Sequence, residues 1–439
     1  MRAARLGRGL GIPGLGIPGL GILALLTPCV VAGQQLQVTL EEALERAQEV
    51  QPAIVEAEGA RRTAAAADRS AWGAFLPSLS TSAAASRSNV GRVDISTGLP
   101  MPPEYSYTVG IGAGLDLFDG FRRLAQKKAA SASLDAAEAG LRSRQYDVAL
   151  ATKQIFYGEA AREELVRVAA AQLRRAEQQL QVSVDRLRAG TATRSDSLRS
   201  TVEVGTSRMA LLQAEANLVV ARTNLGRQVG VDGPVRALPD TVLPTPPDPV
   251  PLRESALQSA PGVAQNEAQA RAARARVWAA RSQYWPSLSV SYSDNRQGTG
   301  SPFSNFDEYR ESFIWRFGLS WTLFNGFQRE GNQVAAAVDR EVAEAQAEDA
   351  RRQLSAGFVA QFTALTTAYA QIEIAGTNVA AAAEDLRVQN ERYQLGAATI
   401  LDLLTSQSSL TEAEVSLIQA RFNYLIARAG LEALIGQEL

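Results

Sequence analysis

Two hydrophobic spacings alternate along this chain. From Tyr105 the odd positions Tyr105, Tyr107, Val109, Ile111, Ala113, Leu115 and Leu117 are apolar, whereas Ser106, Thr108, Gly110, Gly112, Gly114 and Asp116 are small or polar. The same period of two returns as Phe313, Trp315, Phe317, Leu319, Trp321 and Leu323 against Arg316, Gly318, Ser320 and Thr322. Both stretches are expected to be strands with one greasy and one wet face. Shorter, weaker partners are expected at Leu79, Thr81, Ala83 and Ala85 and at Leu288, Val290 and Tyr292. Between and after the strands the spacing becomes seven. Leu134, Leu141, Val148 and Ile155 form one heptad run, Val166, Leu173, Leu180 and Leu187 a second, and Val204, Leu211, Leu218 and Leu225 a returning one. Heptads of this kind specify helices that pack side by side. The eleven-residue step from Ile155 to Val166 is a four-residue stutter, which relaxes a left-handed supercoil locally. A helix from about Phe121 to Arg188 would be roughly 100 Å long at 1.5 Å per residue. A returning helix over Thr193–Val229, together with a short one opened by the capping box of Thr39 and Glu42 and running to about Trp72, would match that length.

The pattern is written twice. Phe118-Asp119-Gly120-Phe121 returns as Phe324-Asn325-Gly326-Phe327, and Arg186-Leu187-Arg188-Ala189-Gly190-Thr191-Ala192-Thr193 as Arg392-Tyr393-Gln394-Leu395-Gly396-Ala397-Ala398-Thr399, each 206 positions on. Pro77-Ser78-Leu79-Ser80 returns as Pro286-Ser287-Leu288-Ser289 after 209 positions, the difference being absorbed in loops. Proline is absent between Glu104 and Gly233 and again between Phe303 and Leu439, which is where the long helices fit. It clusters from Pro234 to Pro251. The expected organisation is therefore a leader over 1–32, a first repeat over 33–230, a proline-rich, semi-rigid linker over 231–251 and a second repeat over 252–439.

Composition narrows the function. Alanine, glutamine, arginine and glutamate dominate the long tracts, the apolar residues are mostly small, and aromatics make up only 6%, as suits packed rods better than thick cores. The formal charge of −2 and the lack of a basic, aromatic-interleaved patch disfavour nucleic acid. No histidine is present, and Cys29 is the single cysteine. Without a histidine, a metal-ligand cluster, a phosphate-cradling loop or a Ser/His/Asp set, an enzyme is not expected, nor any metal or other cofactor. The glycine run Gly110-Ile111-Gly112-Ala113-Gly114 lies inside a strand, where its glycines leave room on the polar face. The N-terminus carries Arg2, Arg5 and Arg8, then an apolar stretch ending Ile22-Leu23-Ala24-Leu25-Leu26, then small residues up to a cleavage point near Ala32. Lipidation at Cys29 is the alternative, and Pro28 fits it poorly. No later stretch is long and apolar enough for a membrane-crossing helix.

Four alternating strands fused to long helices on an exported chain read as barrel strands, with the apolar face to lipid and the polar face to a lumen. Four strands cannot close on themselves, and open edges are not tolerated in lipid, so subunits must share the barrel. The periodicity leaves two, three or four copies open. The competing reading is a periplasmic scaffold of helical hairpins whose strands form a soluble sheet. Heat-modifiable migration and membrane fractionation separate the two.

The duplicated helix–strand–strand–helix–helix plan resembles the TolC-like outer-membrane efflux channel family over roughly residues 35–436. The matching motifs are Pro-Ser-Leu-Ser where each strand begins, Leu-Phe-Asp/Asn-Gly-Phe where each second strand ends, and Arg-Tyr-Gln-Leu-Gly-Ala-Ala-Thr-Ile-Leu-Asp-Leu-Leu at 392–404. The resemblance implies a mainly α fold with a β-barrel portion: a homotrimer with a twelve-stranded barrel in the cell outer membrane and a periplasmic tunnel of antiparallel coiled-coil helices. It implies a periplasmic membrane-fusion adaptor and an inner-membrane pump as partners, with passive exit for efflux or type I secretion. By the same resemblance Ala189, Gly190 and Thr191 and Leu395, Gly396 and Ala397 are hairpin tips that touch the adaptor. Asp402, Asp196, Tyr393 and Thr405 occupy gate positions. Thr405 stands where the family has a second carboxylate, and Ala398 where it has a basic latch residue, which implies a looser gate. The expected lipid-facing residues are Tyr105, Tyr107, Val109, Ile111, Phe313, Trp315, Phe317, Leu319 and Trp321.

Overall fold

A computed structural model describes residues 36–87, 92–93, 96–101, 105–240, 243–299 and 309–439. The leader expected over 1–32, its cleavage point and Cys29 lie outside the described residues. In chain order the elements are β1 (Leu36–Thr39), α1 (Leu40–Val50), α2 (Pro52–Gly73), β2 (Ser78–Arg87), β3 (Arg92–Val93), β4 (Pro100–Met101), β5 (Tyr105–Phe118), α3 (Arg122–Arg188) and α4 (Arg194–Gln228). There follow β6 (Val235–Leu238), α5 (Pro249–Ser259), α6 (Pro261–Arg281), β7 (Ser287–Gly298), β8 (Arg310–Ser320), α7 (Gln328–Gln394) and α8 (Ile400–Ile435). Helices α3 and α7 have 67 residues each, about 100 Å at 1.5 Å per residue. The heptad leucines Leu134, Leu141, Leu173 and Leu187 are half-buried, while Ala136, Phe156, Ala160, Ala169 and Ala176 of α3 are buried. A single chain thus covers only part of each long helix.

Two expectations are corrected. The short helix does not run unbroken to Trp72: it stops at Gln51, whose ψ of 126° is extended, and α2 restarts at Pro52. Proline forces the residue before it out of the helical region while suiting the first helical position itself, so one residue produces both the stop and the start. Ala260 and Pro261 repeat the break between α5 and α6. The proline-rich stretch, expected to be a linker alone, also contributes β6, which pairs in parallel with β1 from Leu36↔Val235 to Thr39↔Leu238. Such pairing depends on a partner some 200 positions away, which local periodicity cannot reveal.

This small sheet lies on the middle of α3. Val38, Val235 and Ala237 are buried with Phe156, Ala160, Leu225 and Val229. Beside that core Glu159 is bonded by Arg222 at 2.9 Å and by the Ala237 amide at 3.1 Å, and Glu163 takes Arg222 at 3.0 Å and both arms of Arg236. Burial pushes the Glu159 carboxyl up, whereas at Glu163 the bonds from Arg236, Arg167 and Arg222 outweigh burial and hold it below the usual range. In the second repeat Leu252, Phe358, Leu365, Tyr424 and Leu431 form the corresponding core, and the Tyr424 hydroxyl donates to the Pro244 carbonyl at 2.5 Å.

The main sheet is antiparallel with order β2-β5-β7-β8. The register aligns Thr81, Ile111, Asp294 and Phe313 in one row and Leu79, Ala113, Tyr292 and Trp315 in the next. Strands β2 and β8 are its open edges.

Candidate entrance and barrel wall

At the end of α3 the chain reverses through Gly190, at φ +73°, and at the end of α7 through Gly396, at φ +74°. Each turn closes with two nested bonds: Gly190 N–H to Leu187 O at 3.0 Å and Thr191 N–H to Arg186 O at 2.9 Å, then Gly396 N–H to Tyr393 O at 3.1 Å and Ala397 N–H to Arg392 O at 2.8 Å. This is the Schellman closure, and its left-handed residue is the reason for glycine at both turns. The returning helices open with full capping boxes. Thr193 and Asp196 exchange bonds of 3.0 and 3.3 Å. Thr399 and Asp402 do the same at 2.9 and 3.2 Å, and the Thr399 hydroxyl adds a third bond at 2.7 Å. The Thr399 backbone and hydroxyl hold the Asp402 carboxyl below the ordinary aspartate range. Thr405 returns its hydroxyl to the Leu401 carbonyl at 2.9 Å.

The tip residues Ala189, Gly190, Thr191, Leu395, Gly396 and Ala397 are exposed, Leu395 at 84%. Tyr393 is only 4% exposed, packed with Ile400, Leu403, Val182 and Leu386. Its neighbour is a residue that sequence reasoning noted only as part of the repeat. Arg186 of α3 places its guanidinium 4.5 Å from the centre of the Tyr393 ring and donates to the Tyr393 carbonyl. The available signal was the aromatic residue at 393 where the first repeat has Leu187, since a planar cation stacks on a ring and not on a leucine. The gate positions are therefore not all brought together: Asp196 and Asp402 bond within their own caps, and Tyr393 joins Arg186.

At the opposite end of the long helices lies the sheet. One face carries Phe313, Trp315, Phe317 and Leu319 on β8, all exposed, beside Leu288, Val290 and Tyr292 on β7. Trp321 lies one residue past β8 and donates its indole N–H to the Tyr284 carbonyl at 3.2 Å. Toward the strand ends remote from the helices the same face gains Asp294, Arg296 and Glu311, the last two 3.6 Å apart. Tyr105 and Tyr107 stack there at 6.1 Å, with Arg87 over Tyr105 at 5.4 Å. The other face is mostly small and polar, with Arg310, Ile314 and Arg316 of β8 as its larger side chains. The room left by Gly110, Gly112 and Gly114 is occupied by the side chains of Ser82 and Asn295, of Ser80, and of Ser78. Ser78 and Ser80 donate onward to the Gly114 and Gly112 carbonyls at 3.2 and 3.4 Å.

Where strand meets helix, each repeat holds a phenylalanine in the left-handed region, Phe121 and Phe327, both at φ +64°. Their exposed rings meet Phe118 and Phe324 edge-on at 5.3 and 5.4 Å. Among the described residues no group of histidine, cysteine, aspartate and glutamate could hold a metal ion, and no helix is long and apolar enough to cross a membrane.

A duplicated unit of this kind, long helical hairpins carrying an open sheet with one apolar face, is the subunit of a channel whose barrel is completed by other copies. A family model described as outer membrane efflux protein matches residues 39–231 and 252–437, and the chain belongs to that family. It is 24% identical over 356 residues to the outer membrane efflux protein BepC of Brucella suis, spanning 78% of this chain and 75% of that one. It is 26% identical over 424 residues to the pyoverdine export outer membrane protein OpmQ of Pseudomonas aeruginosa, spanning 92% and 85%. The fold superposes on the outer membrane protein VceC of Vibrio cholerae with a TM-score of 0.78 at 20% identity, over 91% of this chain and 96% of that one. The protein is thus an outer-membrane channel subunit and not an enzyme. Trimers of this family share one barrel, extend a helical tunnel into the periplasm and work with a periplasmic adaptor and an inner-membrane pump.

Proposed function

We propose that the two hairpin ends of each subunit form the periplasmic entrance of the duct, and that the small polar face of the sheet lines its exit. Three Asp402 carboxylates ring the entrance and attract cations, while the Arg186–Tyr393 contact keeps the two tips of each subunit together. Leu395 and the exposed turns around Gly190 and Gly396 are the surface offered to the adaptor. The aromatic rows from Phe313 to Leu319, with Val109, Ile111 and Trp321, face lipid, and Tyr105 and Tyr107 sit at the outer headgroup level, where amphipathic rings are favoured. The leader over 1–32 is removed, and two repeats, 33–230 and 252–439, flank a connecting segment at 231–251. The observation that carries this reading is the sheet itself, apolar on one face and hydroxyl-rich on the other, with both edges unpaired. Such a sheet in a membrane must be completed by neighbours.

The test is fractionation followed by electrophoresis with and without heating. The duct reading expects the protein in detergent-extracted outer membrane and a heat-dependent change in migration. A chain that stays in the periplasmic fraction without detergent would overturn it and favour the scaffold reading.

A further inference from the structure

We propose that Arg316 sets the charge preference of the barrel, so that anionic solutes, those bearing carboxylate, phosphate or sulfonate groups, pass it more readily than cations of the same size. The inference rests on the shared-barrel reading. Arg316 lies in β8 on the face opposite Trp315 and Phe317, in a row with Ser78, Gly114 and Ser291. That row is flat: a Cβ on Gly114 would lie 3.3 Å from the Ser78 hydroxyl, so nothing there is longer than a serine until the guanidinium. Charge in mid-strand is expensive toward lipid and is accommodated toward a lumen.

Arg316 is exposed and has no ion pair or hydrogen bond among the described residues. It sits on the open edge of the sheet, where a second copy's β2 must join. On the lumen face that strand offers serines and one alanine, and no carboxylate to neutralise the arginine. Among the described strand residues the nearest carboxylate on this face, Asp116, is one row closer to the helices and two strands away, while Arg310 adds a second positive charge on the same face near the outer end. Rings of arginine or lysine are the usual means of favouring anions in a pore. Through water at about 10 Å, one unit charge changes the local weight of a monovalent ion about twofold, and three act together.

The measurement is the reversal potential of the purified full-length protein in planar bilayers under a potassium chloride gradient. Salt is kept low because screening extends only about 10 Å at 0.1 M. The Asp402→Asn variant serves as background, so that the entrance does not dominate the reading. Arg316→Lys should preserve the anion preference, and Arg316→Gln should lower the anion-to-cation permeability ratio at least about twofold. If Arg316→Gln does not assemble, Arg316→Cys treated with positively or negatively charged thiol reagents reads the same quantity, with untreated and Arg316-containing channels as controls. The positive adduct should restore the preference and the negative one reverse it. Conductance with a reversal potential that is indifferent to the charge at 316 overturns this inference alone. No conductance from the unmodified protein overturns the shared-barrel reading, and this inference with it.

Discussion

Arg186 and Tyr393 join the two hairpin ends of one subunit: the guanidinium lies over the ring at 4.5 Å and donates to the tyrosine's own carbonyl. The carbonyl belongs to the last turn of α7, where a positive charge is also favoured by the helix dipole. One side chain of α3 thus stacks on, and caps, the end of α7. No basic residue stands at Ala398, whereas Arg186 reaches the end of α7 from the other hairpin.

Arg186→Ala should loosen the entrance. A partly buried cation–π contact contributes about 1–2 kcal/mol, so the variant is expected to open about tenfold more often in planar bilayers. Arg186→Lys should recover only part of the effect, because an ammonium is a point charge without the flat stacking surface of guanidinium. Unchanged gating in Arg186→Ala would detach this pair from the entrance.

Tyr393→Phe is expected to be nearly silent. The hydroxyl is buried without a hydrogen-bond partner, while the ring and the backbone carbonyl make the contact with Arg186. Removing an unpaired buried polar group costs little or stabilises slightly. Gating and melting temperature should therefore match the wild type, and a large loss would reveal an acceptor supplied by a neighbouring subunit.

Asp402 has two roles that can be separated. Asp402→Asn keeps an acceptor for the Thr399 amide and removes the charge, so the helix cap should survive while block by divalent cations weakens. The pH response follows from the lowered carboxyl. A depressed acid contributes its cap above the ordinary value of 3.8 and loses it only as pH falls through the lower folded value. Hydrogen exchange at the Thr399 amide, which donates to the Asp402 carboxylate, should remain protected just above pH 3.8 and lose that protection at still lower pH. Protection lost already at pH 5–6 would contradict the assignment.

Phe121 and Phe327 test a cost retained twice. A non-glycine residue in the left-handed region costs about 1–2 kcal/mol, yet both repeats place an exposed ring there. Phe121→Gly should relieve the backbone but remove a ring from the level where strands enter the helices. We expect lower stability in lipid bilayers and a smaller loss in detergent, measured by urea unfolding in each. Equal stabilisation in both media would show that the ring contributes nothing at the membrane.

Much of this was legible in the sequence because the signals were local. Gly190 and Gly396 with Thr193 and Thr399 fixed the turns, and α3 begins at Arg122 and ends at Arg188, within a residue or so of the heptad reading. Strand alternation placed Phe313 to Leu319 on one face. What was missed depends on distance along the chain or on geometry. The break at Pro52 is readable in principle, but helical spacing continues on either side of it. Strand β6 exists because Leu36–Thr39 offers it an edge, and Arg186 matters because α3 and α7 end side by side. The room at Gly110 is filled by Ser82 and Asn295, which only the register across three strands brings together.

That the four strands of each chain belong to one shared barrel is open to direct measurement. Native mass spectrometry of the detergent-extracted protein tests this most directly. The expected result is a single assembly of three chains that dissociates only when the sheet unfolds. A stable single chain that keeps its β-sheet signal in detergent would contradict it.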